Sequence, residues 1–169
     1  MSRFALDTSV PVDRTRAEIN RLLTDWKCAS IGWTDHLAEK TVAVEFVWLR
    51  EEKDAKGLVT GNYCYKVRFS IGIPKTRKKR KREWGAPPAL NENEQAQAWR
   101  SAHRLLLLKL KADLNAAAAG LAKAEEIFLP WIVDENGRTL SEAIMPALKE
   151  RYSRPALPAK AGLAAPRKT

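Results

Sequence analysis

Apolar residues near the start of the chain recur at helical spacing, with Ala17, Ile19, Leu22, Leu23 and Trp26 on one side of a predicted helix from about Asp13 to Lys27. Pro11 precedes it and Asp13 is placed to cap it, while Thr15 and Glu18 offer a second start at capping-box spacing. The period then drops to two. In Cys28 to Thr34, Ala29, Ile31 and Trp33 alternate with small or polar residues. In Thr41 to Leu49, Val42, Val44, Phe46 and Trp48 share a face, and from Tyr63 onward Tyr65, Val67, Phe69, Ile71 and Ile73 do the same. Three strands are expected. The connection Arg50 to Asn62 is charged and carries Gly57 and Gly61, the pattern of a long exposed hairpin loop.

Pro74 ends the third strand, and Gly85, Pro87 and Pro88 oppose regular structure up to Leu90. Asn91 with Glu94 then makes a capping box for a long helix reaching about Ala119. Its stripe is Trp99, Ala102, Leu106, Leu110 and Leu114, widened by Leu105, Leu107 and Leu108 until much of the helix surface is apolar. Gly120 interrupts it and Leu121 to Ile127 predicts a further helical segment. Phe128 to Val133 fits either strand or turn. Asp134 to Gly137 is a turn, and Thr139 with Glu142 starts a last helix carrying Leu140, Ile144, Leu148 and Tyr152, with a kink expected at Pro146. The order gives an α+β class: an N-terminal helix, a three-stranded antiparallel sheet packed on a long central helix, and shorter C-terminal helices. Residues 1–152 are expected to form one domain with an exposed loop at about 74–90, and 153–169 an Ala/Pro-rich disordered tail.

Charge changes the picture of that loop. The 169 residues carry a formal net charge of +10, with 30 basic and 20 acidic side chains. Lys75, Arg77, Lys78, Lys79, Arg80, Lys81 and Arg82 supply seven of the 30 within eight positions, and Arg154, Lys160, Arg167 and Lys168 in the tail supply four more. The remaining 19 basic residues face all 20 acidic ones, so the body is near neutral. No stretch approaches the roughly 18 consecutive apolar residues of a spanning helix, and the first ten residues lack a long apolar signal segment. A cytosolic chain without membrane contact is expected. Cys28 and Cys64, both on predicted strands and far apart, are expected to be buried reduced thiols.

Candidate chemistry is sparse. His36 beside Asp35 and His103 beside Arg104 have no second histidine or cysteine at ligand spacing, so neither a metal site nor any other cofactor is expected. A nuclease of the PD-(D/E)xK type needs a lysine two positions after a strand glutamate, whereas Glu45 is followed by Phe46 and Val47. Lys66 on the neighbouring strand fits a cross-strand ion pair with Glu45 at least as well. Nucleophile elbows, phosphate loops and dinucleotide fingerprints are absent from the sequence, which leaves no catalytic residue to assign and makes binding the default.

For binding, the cationic run is the leading feature, because several lysines and arginines on one loop neutralise phosphates and release condensed counterions. Lys66 and Arg68 face away from the apolar side of their strand and extend that surface; Arg100, Arg104 and Lys111 recur at helical spacing and either add a stripe or form a solvated edge. Trp26, Trp33, Trp48, Trp99 and Trp131 occupy apolar positions and read as core. Trp84, separated from the run's last cation by Glu83 alone, is either a base-stacking residue or an anchor for the loop.

The helix, three-strand, helix order is that of the double-stranded-RNA-binding domain, yet the loop DHLAEK lacks that family's Gly-Pro-x-His element and the long helix opens on NENEQAQ where the family has lysines. Topology alone is a weak warrant for function. The segments PVDRTRAEINRLL, VAVEF, YKVRFSI, EQAQAWRSAHRLLLLKLKADLNAAAAG, EEIFLPWIV and GRTLSEAIMPALKERY resemble a family of small bacteriophage and prophage proteins of no assigned activity, over most of Pro11 to Tyr152. The resemblance implies a phage or prophage origin and a bacterial host cytosol, and transfers no catalytic residue. Two functions are expected from these readings. One is a non-enzymatic accessory protein binding DNA or RNA, largely independent of sequence. The other is a phage effector whose basic loop docks on an acidic or nucleic-acid-binding surface of a host defence complex, as an anti-CRISPR protein would.

Overall fold

The structure, a computed structural model, describes residues 8–74, 85 and 88–153. The elements run α1 (Val12–Asp25), β1 (Ser30–His36), β2 (Thr41–Lys53), β3 (Val59–Gly72), α2 (Glu92–Ala118), α3 (Ala124–Phe128), a 3-10 turn (Leu129–Trp131) and α4 (Leu140–Tyr152). The strands form one antiparallel sheet in the order β1-β2-β3, with helices packed against one face. The α+β class and the element order follow the sequence pattern.

The alternation on β2 and β3 puts Val42, Val44, Phe46 and Trp48 beside Val67 and Phe69 on the inner face. Against them lie Ile19 and Leu23 from α1 and Leu106, Leu107, Leu110 and Leu114 from α2, all nearly or fully buried. Phe128 meets Phe46 and Phe69 edge-on at centroid distances of 5.8 and 6.0 Å. Burying one such phenylalanine contributes roughly 1.5–3 kcal/mol, so this triad ties the short α3 to the sheet. Leu105 and Leu108 remain more than a third exposed, so α2 is covered along one wide stripe and meets solvent along the other.

The two strongest sequence signals for helix starts are realised as capping boxes. Asn91 Oδ1 accepts from Glu94 N at 2.8 Å while Glu94 Oε2 accepts from Asn91 N at 2.9 Å. Thr139 and Glu142 make the same reciprocal pair at α4. The first helix differs from expectation: Pro11 occupies its N-cap, neither Asp13 nor Thr15 caps it, and it ends at Asp25. Thr15 is instead buried one turn inside, its hydroxyl donating to the Pro11 carbonyl at 3.3 Å. A proline whose ring presets φ can open a helix without a side-chain acceptor.

The expected loop from Arg50 to Asn62 is mostly strand. β2 and β3 continue pairing through Arg50↔Tyr63 and Glu52↔Gly61, leaving only a short turn in which Asp54 Oδ1 accepts from the backbone N–H groups of Lys56 and Leu58 and Gly57 takes φ 80. Charged side chains oppose burial but leave backbone pairing intact, so a solvated two-stranded arm suits this segment. The first strand is also displaced, starting at Ser30 and reaching His36, with Cys28 before it. Cys28 is half-buried and Cys64 exposed on β3, against the expectation of two buried thiols. Phe128 to Val133 resolves into both alternatives: a 3-10 turn, then an edge contact in which Val133 N donates to Lys66 O at 2.8 Å and Ile132 bridges Val67. The helix expected over Leu121 to Ile127 begins at Ala124. α4 runs through Pro146, and none of its residues is buried.

Candidate nucleic-acid interface

Lys75 to Arg82, Trp84 and the tail from Arg154 lie outside the described residues. Their points of attachment are described. Ile73 is buried, its N–H donating to Lys40 O at 2.6 Å, and Lys40 Nζ reaches Gln95 Oε1 at 3.4 Å. The end of β3 and the first turns of α2 therefore meet around a small cavity of about 160 Å³ lined by Lys40, Ile73, Pro74, Gln95 and Trp99. Pro74, the residue before the cationic run, lies at this end.

The other candidate cations are not gathered there. At about 3.3 Å per strand residue, Lys66 and Arg68 lie roughly 20–26 Å from Pro74 along β3. At 1.5 Å per helical residue, Arg100, Arg104 and Lys111 lie roughly 12, 18 and 28 Å beyond the start of α2. Both sheet cations do project from the outer face, as the alternation requires, and both are held by Glu45: Lys66 Nζ at 2.9 Å, and Arg68 through a short Nε–Oε1 contact. Arg68 also donates to Gly137 O at 2.8 Å. Burial alone would raise the Glu45 carboxyl, but hydrogen bonds from Lys66 and Arg68, reinforced by their charges, outweigh it and hold the group below its ordinary value.

On α2, Arg104 and Lys111 share Glu18 of α1 at 3.2 and 3.6 Å, and Arg100 donates to Gln97 Oε1 at 2.6 Å. Arg50, Lys109 and Arg138 are likewise within ion-pair distance of carboxylates. Arg104 and Lys111 thus join two helices, the solvated-edge reading rather than a free basic stripe. Of the tryptophans expected in the core, Trp48 is buried, while Trp26, Trp33, Trp99 and Trp131 are half-buried and packed against it.

One polar cluster has no counterpart in the sequence reading. Arg16 forks onto both oxygens of Asp35 at 2.6 Å each, and its Nε donates to Nε2 of His103 at 3.0 Å. His103 is fully buried, with Nδ1 at 2.8 Å from the Trp99 carbonyl. That carbonyl can only accept, which makes Nδ1 the protonated nitrogen and leaves the Nε2 lone pair for Arg16. Burial, with the Arg16 charge adding to it and the Trp99 carbonyl opposing, lowers the His103 pKa below its ordinary value. Trp33 closes the cluster, stacked on His103 at 5.7 Å with the Arg16 guanidinium 4.8 Å from its ring. With both ring nitrogens engaged, His103 is a clamp between α1, β1 and α2 and no proton shuttle. The signal was available in the helix phase, since position 103 falls between Trp99 and Leu106 on the buried stripe.

At the opposite end of the sheet, the two-stranded arm is tied to α3 by Arg50 Nε and Glu125 Oε1 at 2.6 Å. Cavities of about 490 and 530 Å³ adjoin this pair, between Trp26 and Trp48 on one side and Tyr63 and Tyr65 on the other. Glu125 Oε2 is buried there without a protein donor. Among the described residues, no group of three or more His, Cys, Asp or Glu side chains is placed to hold a metal ion, and no helix is long and apolar enough to cross a membrane. In comparisons with protein-family models, curated proteins and solved structures, nothing matches this chain.

Proposed function

We propose that this is a non-enzymatic accessory protein of phage or prophage origin that binds DNA or RNA through Lys75 to Arg82, largely without regard to sequence. The observation that carries the reading is the distribution of charge. Seven cations stand within eight residues with no acid among them, while the chain outside this run and the tail is balanced. Elsewhere the cations first suggested as partners of the run are engaged: Lys66 and Arg68 on Glu45, Arg104 and Lys111 on Glu18. Cations clustered without an acid among them release counterions from a phosphate backbone, so on this reading the run dominates affinity and the paired sheet and helix cations add little. Of the two sheet cations, Lys66 keeps its side chain about half exposed beside Glu45 and Arg68 about a quarter.

Binding of labelled single- and double-stranded DNA and RNA across a salt series tests this. The wild type is expected to give a log–log slope on the order of −4 to −6 on duplex DNA, collapsing when 75–82 is replaced by Ser and Gly. Absence of binding at low salt, or a slope that survives the replacement, overturns the reading.

A further inference from the structure

We infer that Tyr63 and Tyr65, on the two-stranded arm, form a shelf on which unpaired bases of a single-stranded nucleic acid stack. The inference rests on the proposed binding of nucleic acid and adds to it a preference for single strands. The alternation that buries Val44, Phe46 and Trp48 continues along the arm, where Trp48↔Tyr65, Arg50↔Tyr63 and Glu52↔Gly61 are cross-strand pairs on the same face. The helical cover stops sooner than the strands do. α2 ends at Ala118 and α3 spans five residues, and beside them the inner face of the arm opens onto the cavity of about 530 Å³. Its lining is Tyr63, Tyr65 and the charged residues Arg50, Glu52, Lys123, Glu125 and Glu126. Tyr63 is 45% exposed, yet its ring is fixed. Its hydroxyl donates to Glu52 Oε2 at 3.0 Å, its plane lies within 10° of the Tyr65 ring at 6.2 Å, and a Cβ added at Gly61 would come within 3.2 Å of its edge. Tyr65 is set in turn against Trp48 at 5.9 Å.

The charges of the lining narrow what the shelf takes. Its three carboxylates are turned to protein partners: Glu125 Oε1 to Arg50 Nε at 2.6 Å, Glu52 Oε2 to the Tyr63 hydroxyl, and Glu126 Oε2 to the Lys123 backbone N–H at 3.2 Å. Against the cations Arg50 and Lys123 they leave the lining near neutral, so it neither draws a phosphate backbone by itself nor selects a cation. What it offers is an aromatic face, rigid before binding, on which a flat ring stacks without ordering the side chains first. Bases in a duplex are stacked on one another and hide their faces, whereas unpaired bases present them. The phosphate attraction comes from the run. Tyr63 lies roughly 36 Å from Pro74 along β3 at about 3.3 Å per residue, a distance that a strand of about 12 nucleotides covers at about 3.4 Å each. Affinity for a single strand therefore divides into a salt-dependent part from Lys75 to Arg82 and a salt-independent part from Tyr63 and Tyr65.

The test is fluorescence-anisotropy titration of the full chain with an unstructured single-stranded DNA of about 12 nucleotides and with its duplex, across a salt series. Tyr63→Ala is expected to lower single-strand affinity by about tenfold with an unchanged log–log salt slope, and to leave duplex affinity within about twofold. Tyr63→Phe keeps the ring and loses only the Glu52 hydrogen bond, so it should bind as the wild type does. Circular dichroism and urea midpoints establish that each variant is folded. Equal losses for single strand and duplex, or no loss in Tyr63→Ala, overturn the inference. A second arm tests the shelf apart from the run. The chain with 75–82 replaced by Ser and Gly is irradiated with a single strand carrying 5-iodouracil, at about millimolar concentration, and the crosslinks are mapped by mass spectrometry. Crosslinks at Tyr63 or Tyr65 are expected there. Their absence overturns the shelf and leaves the reading of the run standing, whereas crosslinks in a wild type that fails to bind duplex at low salt overturn that reading and leave the shelf. A free mononucleotide that competes as well as the strand assigns the shelf to a small nucleotide ligand and overturns the single-strand assignment.

Discussion

Replacing Arg16 by alanine removes the centre of the polar cluster that joins α1, β1 and α2. Three losses follow. The fork onto Asp35 is partly open to solvent, with side chains 24% and 35% accessible, so its contribution is at most about 1 kcal/mol. The contact with the Trp33 ring adds about 0.5–1 kcal/mol. The largest loss is at His103, whose Nε2 becomes a buried acceptor without a donor, costing about 1–3 kcal/mol. The sum is about 1.5–5 kcal/mol, a large share of a small domain's stability. Arg16→Lys keeps a charge near Asp35 but lacks the rigid fork that serves Asp35 and His103 together, so it recovers less than half. Urea unfolding followed by far-ultraviolet circular dichroism reads these values, with an unchanged denaturant slope showing that the same transition is measured. A change below about 1 kcal/mol in Arg16→Ala, or full recovery in Arg16→Lys, refutes the view that this cluster clamps α1, β1 and α2.

Four further outcomes are expected. The lowered pKa of His103 means the unfolded chain takes up a proton first, so its contribution is complete above about pH 6.5 and is lost as pH falls below that value toward the native pKa; urea midpoints at about pH 7.5 and 5 should show the loss, and His103→Gln should abolish this part of it. Arg68→Ala is expected to cost about 1–2 kcal/mol by freeing Glu45 and the Gly137 carbonyl, yet leave nucleic-acid affinity within about twofold; a tenfold loss in a salt-matched titration contradicts the assignment of binding to the run. A disulfide reagent at about pH 8 should modify Cys64 rapidly and Cys28 slowly, since burial pushes the Cys28 thiol up to about 11; Cys64→Ser should remove the fast phase, and two equal phases would contradict the burial. Asn91→Ala should cost about 1 kcal/mol in thermal or urea unfolding through loss of the α2 cap, and an unchanged midpoint would show the cap to be energetically idle.

The sequence by itself determined what local periodicity and local hydrogen bonding govern. Val42, Val44, Phe46 and Trp48 alternate because a pleated strand with one buried face requires it, and β2 follows. Asn91 with Glu94, and Thr139 with Glu142, start helices because a short polar side chain at that spacing satisfies backbone donors within its own turn. The placement of seven cations in one run is likewise a property of the chain alone. Tertiary structure decided everything that depends on what lies opposite. The charged arm reads as loop, yet each strand supplies the hydrogen bonds of the other. Lys66, Arg68, Arg104 and Lys111 read as surface charge until Glu45 and Glu18 are brought beside them from 21 or more residues away in the chain, which reduces the share of binding we propose for them. His103 shows the same limit: its spacing places it on the buried stripe, but its protonation is set by Arg16 and the Trp99 carbonyl, one of them 87 residues away. The apolar stripe of α4 carries the opposite lesson, because its pattern predicts a covered face and the fold supplies no cover within the described chain.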